Sequence, residues 1–240
     1  MHCPRCGLVN VPSALRCDCG HDFVTGVLRP VVPFHSGHDA ARVAVVVLGL
    51  ALLVDLVAVV SGGFQASLVG KIAAGQTFPA EQLEASDRRQ QMVGVAQVLA
   101  LLAGAVAFLR WLRVAYGNLP ALGVVPRFSR AWAVAFFLVP ILNLFRPYQV
   151  VRELWGGSTG GGAAIVGWWW AAYLVASFLG ARSFTLVATA KAPRDFLMAT
   201  WVTLAADVCG SVAAALAIAI VLGIDRGQAR STGPAPPGRA

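Results

Sequence analysis

The chain has 240 residues, 58% of them hydrophobic and only 12% charged, with a mean hydropathy of +0.70. Soluble domains carry about 25% charge, so a polar shell this thin cannot cover a water-soluble globule. The apolar residues fall in long runs, which excludes the short alternating segments of a membrane β-barrel. The net charge of +8 does not imply nucleic acid as a partner. Arg42, Arg110, Arg113, Arg127, Arg130, Arg146 and Arg182 sit beside apolar runs, as expected from the positive-inside rule and from contact with anionic lipid headgroups.

Four of the five cysteines lie in the first 19 residues, as Cys3-Pro-Arg-Cys6-Gly, a spacer, and Cys17-Asp-Cys19-Gly. Zinc takes four thiolates in a tetrahedron, and two tight turns can supply them. Gly7 and Gly20 follow the two pairs and permit the positive φ that such turns need. A segment this short buries no core, so a structural zinc ion held by Cys3, Cys6, Cys17 and Cys19 would supply most of its folding energy. The second pair is one residue tighter than the usual spacing, and His2 or His21 is the substitute ligand. Redox sensing by the thiols is another reading, as is a disulfide if the head faces an oxidising compartment. Arg5 and Arg16 are offset by Asp18 and Asp22, so the head has no nucleic-acid patch.

These features give a zinc-ribbon head over residues 1–23 and a linker over 24–41, where Pro, Gly and His occur without periodicity. The first residues show no apolar h-region, so the first apolar run is expected to act as a retained targeting signal. A multi-pass domain follows over 42–226, then a disordered tail over 227–240. A span needs roughly 20 apolar residues. Arg42 to Ser61, Gln91 to Trp111, Ala163 to Ala181 and Phe196 to Ile224 meet that, and Trp168, Trp169 and Trp170 anchor the third at the interface. Thr77 and Pro79 are expected to start a helical stalk into the second span, with Glu84 and Arg88 paired at i,i+4.

The stretch Ala131–Phe145 is apolar but short, and Pro140 and Asn143 interrupt it. Such a length is often re-entrant or interfacial. The following segment RPYQVVRELW is amphipathic, with Tyr148, Val151 and Trp155 on one helical face and Arg146, Gln149 and Glu153 on another. It is expected to lie in the headgroup plane, ending at a flexible break over 156–162. With the head cytosolic, four spans place 13 Lys and Arg inside and 6 outside, against 11 and 8 for five spans. The fold class is therefore an all-α membrane protein, a bundle of four to five transmembrane helices plus an interfacial or re-entrant helix, with a small zinc ribbon. The count favours four spans.

The blocks FLRWL (108–112), Asn118-Leu119, RFS (127–129), Trp132, VPILNLFRPYQVVRELW (139–155) and GWWW (167–170) resemble a bacterial membrane family, domain of unknown function 4328. The resemblance runs from about Phe108 to the last span. It implies a multi-pass architecture in a bacterial inner membrane and lends no activity.

Acids inside a bilayer are expensive and mark candidate functional sites. Asp55 and Asp207 are the two here, and Asn143 is a further intramembrane polar candidate. Thr203, Asp207 and Ser211 recur every four residues as a polar stripe, beside a small-residue seam of Ala206, Gly210 and Ala214. With four spans the two acids share one depth and can hold a proton or a cation together; with five they separate. Interhelical hydrogen bonding is the plain alternative. Ala96, Ala100 and Gly104 form a second seam, with Gln97 as a bundle contact. Arg146, Tyr148, Gln149, Arg152 and Glu153 are candidates for lipid headgroup binding, or else anchor an interfacial helix. No nucleophile elbow, phosphate loop or HExxH pattern occurs, so no catalytic residue is singled out and a non-enzymatic role is favoured. The leading expectation is a scaffold or sensor whose zinc head contacts a cytosolic partner. A small transporter or proton/ion pathway using Asp55 and Asp207 is the alternative, and a lipid-handling protein the third.

Overall fold

The computed structural model describes residues 1–15, 17–24, 26 and 33–232. Residues 25 and 27–32 of the expected linker, and 233–240 of the expected tail, lie outside the described residues. Six α-helices occur among the described residues: α1 (His38–Ala73), α2 (Ala80–Gly117), α3 (Arg130–Ala135), α4 (Arg146–Thr159), α5 (Ala164–Thr189) and α6 (Pro193–Thr232). Short 3₁₀ turns cover Leu119–Leu122 and Leu142–Leu144. No strand occurs among the described residues.

In hydrocarbon every backbone N–H and C=O must be paired inside the chain, which makes long helices of these apolar runs. Four of them, α1, α2, α5 and α6, are long and apolar enough to cross a membrane. The protein is an all-α membrane protein with four such helices. The stretch 131–145 is not a fifth. It forms the six-residue α3, a run of turns through Pro140 and a 3₁₀ turn.

The helices extend well beyond the apolar windows. α1, α2 and α6 have 36, 38 and 40 residues, or about 54–60 Å at 1.5 Å per residue. α1 already includes residues 38–41 of the expected linker, and α6 runs on through 227–232 of the expected tail. Pro79 caps α2 as expected, but Glu84 and Arg88 do not pair. A hydrogen-bonded contact joins His38 Nδ1 to Asp225 Oδ2 at 2.8 Å.

That pair brings the start of α1 and the end of α6 to one end of the bundle, here the His38 end. The α1–α2 turn and the start of α6 form the opposite, Lys71 end. α1 packs on both α2 and α6, and α5 packs on the far side of α6. The tight core gathers at the His38 end, from Phe108, Trp111, Leu112 and Tyr116 of α2, Leu154 of α4, Trp169 and Trp170 of α5, and Ile220, Val221 and Ile224 of α6. Large apolar side chains such as Val46, Leu50, Leu101, Val106 and Phe178 face outward, where lipid contacts them.

α4 turns inward a different face from the Tyr148, Val151 and Trp155 face of its sequence pattern. Its buried face is Pro147, Val150, Val151, Leu154 and Ser158, while Tyr148 and Trp155 flank it half-buried. It packs on α5 and α6. The reason is Gly223 and Gly227, four residues apart on α6, which admit α4 at backbone distance. A Cβ at 227 would come within 2.3 Å of the Ser158 carbonyl oxygen, and one at 223 within 2.7 Å of the Trp155 ring. The expected break at 156–162 also starts late. The helix continues through Gly156 to Thr159 and ends at Gly160, whose φ is +65°.

Candidate functional site

α1, α2 and α6 meet at mid-length because small residues let them approach. A Cβ at Gly104 would sit 3.6 Å from Leu48 of α1, and one at Gly210 would sit 3.5 Å from Asp55 Oδ2. The glycine of each expected seam thus faces α1. At this level Gln97 of α2 donates through one nitrogen to two carboxylates, Asp55 Oδ1 at 3.3 Å and Asp207 Oδ1 at 2.9 Å. All three side chains are half-buried. The acids share one depth, as four spans require, and Gln97 links them.

The rest of the polar stripe on α6 does not join this centre. Ser211 donates to the Asp207 carbonyl at 2.9 Å. Thr203 donates to the Ala199 carbonyl at 2.9 Å and meets Ser183 of α5. Asn143 belongs to the turns before α4, where its backbone N–H reaches Val139 O at 2.8 Å and its side-chain oxygen is buried without a partner.

The surroundings of the acid pair are asymmetric. Towards the Lys71 end, α1 and α2 carry a hydrogen-bonded polar group that was not singled out in the sequence. Ser61 Oγ donates to Gln90 Oε1 at 3.2 Å, and Arg89 donates to Ser61 Oγ and Ser86 Oγ, each at 3.1 Å. Ser86 Oγ donates to Gln65 Oε1 at 2.5 Å. Towards the His38 end the same helices present the aromatic and aliphatic core.

The interfacial candidates divide into intramolecular contacts. Arg146 stands 5.6 and 5.8 Å from the rings of Phe128 and Phe136 and donates to Gln149 Oε1 at 2.9 Å. Arg152 lies 5.9 Å from the Tyr148 ring. Glu153 accepts the Tyr116 hydroxyl at 2.7 Å and the Arg127 N–H at 2.8 Å, and the Tyr116 oxygen in turn accepts the Phe128 N–H at 3.2 Å. A second hub joins Asn118 and Gln228. Asn118 donates to His35 O and Gln228 Oε1, and Gln228 donates to Ala115 O and Ser158 Oγ. Only the i,i+7 spacing of Gln90 and Gln97 hints at the polar face of α2; Asn118 and Gln228 leave no such signal.

In the head, the sulfurs of Cys3, Cys6, Cys17 and Cys19 all lie within 4.8 Å of one another, a set that can hold a metal ion. Gly7 and Gly20 have φ of +74° and +88°, so the two turns form as the glycines permit. The four cysteines are not disulfide-bonded. The Cys19 backbone N–H, with the Asn10 amide, holds the Cys17 thiol down at about 6. At Cys6 the backbone contact to Leu8 lowers the value, but burial and the neighbouring thiols push it up to about 12.

No curated protein and no solved structure gives a match. Residues 75–226, well over half of the chain, match the family model described as Domain of unknown function (DUF4328). That range includes Gln97, Asp207, α4 and the Tyr116–Glu153 hub, and the chain belongs to that family.

Proposed function

We propose that this protein binds and moves protons or small cations through the site formed by Asp55, Gln97 and Asp207. The observation that carries the reading is the single Gln97 amide that donates to both carboxylates at mid-bundle. A neutral amide leaves two acids among apolar helices without a counter-charge, and uncompensated charge there is costly. A shared proton or a bound cation supplies the balance, as for paired carboxylates generally. The polar group at the Lys71 end supports access from that side, and the packed aromatics support closure on the other. The test is proton flux into vesicles containing the purified full-length protein, read with a pH-sensitive dye under an imposed potential. Wild type should acidify the vesicles, and Asp207→Asn should lose at least tenfold in rate while folding normally. Equal flux in Asp207→Asn, or wild-type flux no greater than that of empty vesicles, overturns the reading.

A second reading, a scaffold or sensor, has its own observation. Leu8, Val9, Val11 and Leu15 are exposed on a head too small to waste apolar surface. A tetrahedral zinc ion with bonds of about 2.3 Å needs sulfurs about 3.8 Å apart, and the spacings of 3.6 and 3.5 Å in Cys3–Cys19 and Cys6–Cys17, with all four sulfurs within 4.8 Å, are compatible with such a site. Such a head would offer its apolar knob to a cytosolic protein. Deleting residues 1–26 should then abolish that interaction and leave proton flux intact; an unchanged set of interactions counts against it.

A further inference from the structure

A cleft of about 360 Å³ opens between α1 and α2 at the Lys71 end, on the opposite side of the bundle's length from α4. Its walls include Phe64 and Lys71 of α1, Phe78 of the turn, and Gln82, Ser86 and Arg89 of α2. The volume falls within the range of small-molecule clefts. Two of these residues are cations and none is an acid. Glu81, Glu84 and Asp87 occupy the same turns of α2 but are exposed and line no part of the cleft. Neither Lys71 nor Arg89 forms an ion pair among the described residues. The guanidinium of Arg89 is half-buried and meets only neutral partners: the hydroxyls of Ser61 and Ser86, the Gln65 amide oxygen, and the Phe64 ring at 6.0 Å. A cation held in place by neutral groups retains its capacity for an anion.

Depth fixes what kind of anion. The apolar runs 42–61 of α1 and 91–111 of α2 are centred near residues 51 and 101. Lys71 lies about twenty residues beyond the first centre, about 30 Å, and Arg89 about twelve residues from the second, about 18 Å, in the same direction because the helices are antiparallel. The hydrocarbon boundary stands about 15 Å from the midplane and the outer edge of the headgroups about 20–22 Å. Arg89 therefore falls within the headgroup layer and Lys71 on its aqueous side. Below Lys71, the ring of Phe64 flanks the path towards the hydrocarbon, and Phe78 of the turn closes the cleft on its outer side.

We propose that the cleft between Lys71 and Arg89 binds the phosphate headgroup of an anionic phospholipid, with its acyl chain laid over Phe64. The proposal stands on charge, depth and cavity, and does not depend on proton movement at the acid pair. The exposed Gln82 amide offers a further hydrogen bond to a headgroup, while the buried Ser86 hydroxyl donates to Gln65 and holds Arg89 in place.

The test is the binding of phosphatidylglycerol to the purified full-length protein in detergent, titrated by native mass spectrometry with phosphatidylcholine as the neutral reference. Wild type should prefer phosphatidylglycerol. Lys71→Gln should weaken that preference about fivefold, the effect of one basic residue near a membrane surface. Lys71→Arg should restore it, and Arg113→Gln, which removes an exposed cation at the His38 end, should leave it unchanged. Arg89→Gln should weaken binding as well. Should that variant fail to fold because Ser61, Gln65 and Ser86 lose their donor, Lys71→Gln still decides the matter. Equal binding by Lys71→Gln, or an equal loss in Arg113→Gln, overturns the site. Displacement of the lipid by millimolar inorganic phosphate overturns the lipid assignment in favour of a free anion.

Discussion

Replacing Gly227 by Ala tests how α4 is held. The added Cβ would stand 2.3 Å from the carbonyl oxygen and 2.9 Å from the carbonyl carbon of Ser158. Both atoms belong to helix backbone, so no rotamer change relieves the clash, and α4 must move by about 1 Å from α6. Overpacking costs about 1–3 kcal/mol. The displacement also stretches the bond from Gln228 Nε2 to Ser158 Oγ, now 3.1 Å, and a buried polar group left short costs about 1–3 kcal/mol more. A total near 3 kcal/mol corresponds to a fall in Tm of about 6–12 °C for a chain of this size. Gly223→Ala is the control, because its Cβ meets the Trp155 ring, a side chain that can turn away. It should cost less than half as much. The assay is thermal unfolding in detergent, with limited proteolysis of the 156–162 segment as the local readout. A Gly227→Ala protein with wild-type Tm and unchanged cleavage would refute the reasoning, as would equal losses at 223 and 227.

Two further outcomes follow from the hubs and the head. Tyr116→Phe removes a hydroxyl that donates to Glu153 and accepts from Phe128 N–H, and should cost about 1–3 kcal/mol. Combined with Glu153→Gln, the losses should be less than additive in denaturation curves, because both variants break one contact. In metal-free protein Cys17 titrates near 6 instead of its ordinary 9.0. A depressed value means that the charged form stabilises the folded head. That contribution is complete above pH 9 and is lost as pH falls through 6. Thiolate absorbance should therefore show a first step near pH 6 that Cys17→Ser abolishes, and metal bound by the head should decline in the same range.

Much of this architecture was readable because the bilayer imposes simple demands. Twenty-residue apolar windows located four helices, and the short stretch broken by Pro140 proved too short to be a fifth. The glycines after each cysteine pair announced the two turns of the head. What escaped was set by contacts between distant residues. The burial of α4 depends on Gly223 and Gly227, some 70 residues downstream, which move its buried face to Val150, Val151 and Leu154. Asp55 and Asp207 stood out as acids in apolar runs, whereas Gln97 looked like any polar residue in a seam until the bundle placed it between them. Arg146, Tyr148, Gln149, Arg152 and Glu153 have the composition of a headgroup site, yet local aromatic rings and the loop at Arg127 take up much of their capacity.

The order of helices along the chain gives the acid pair a history during biosynthesis. α1 and α2 form a hairpin joined by residues 74–79, so Asp55 and Gln97 enter the membrane together as nascent neighbours. Asp207 arrives only with α6, after α3, α4 and α5 have been made, and must dock onto the opposite flank of the oldest helix. Until then the core at the His38 end lacks Ile220, Val221 and Ile224. A chain stalled or cut before α6 thus leaves Phe108, Trp111 and Leu112 incompletely packed, a mark by which the membrane's quality-control proteases can tell an unfinished copy from a completed one.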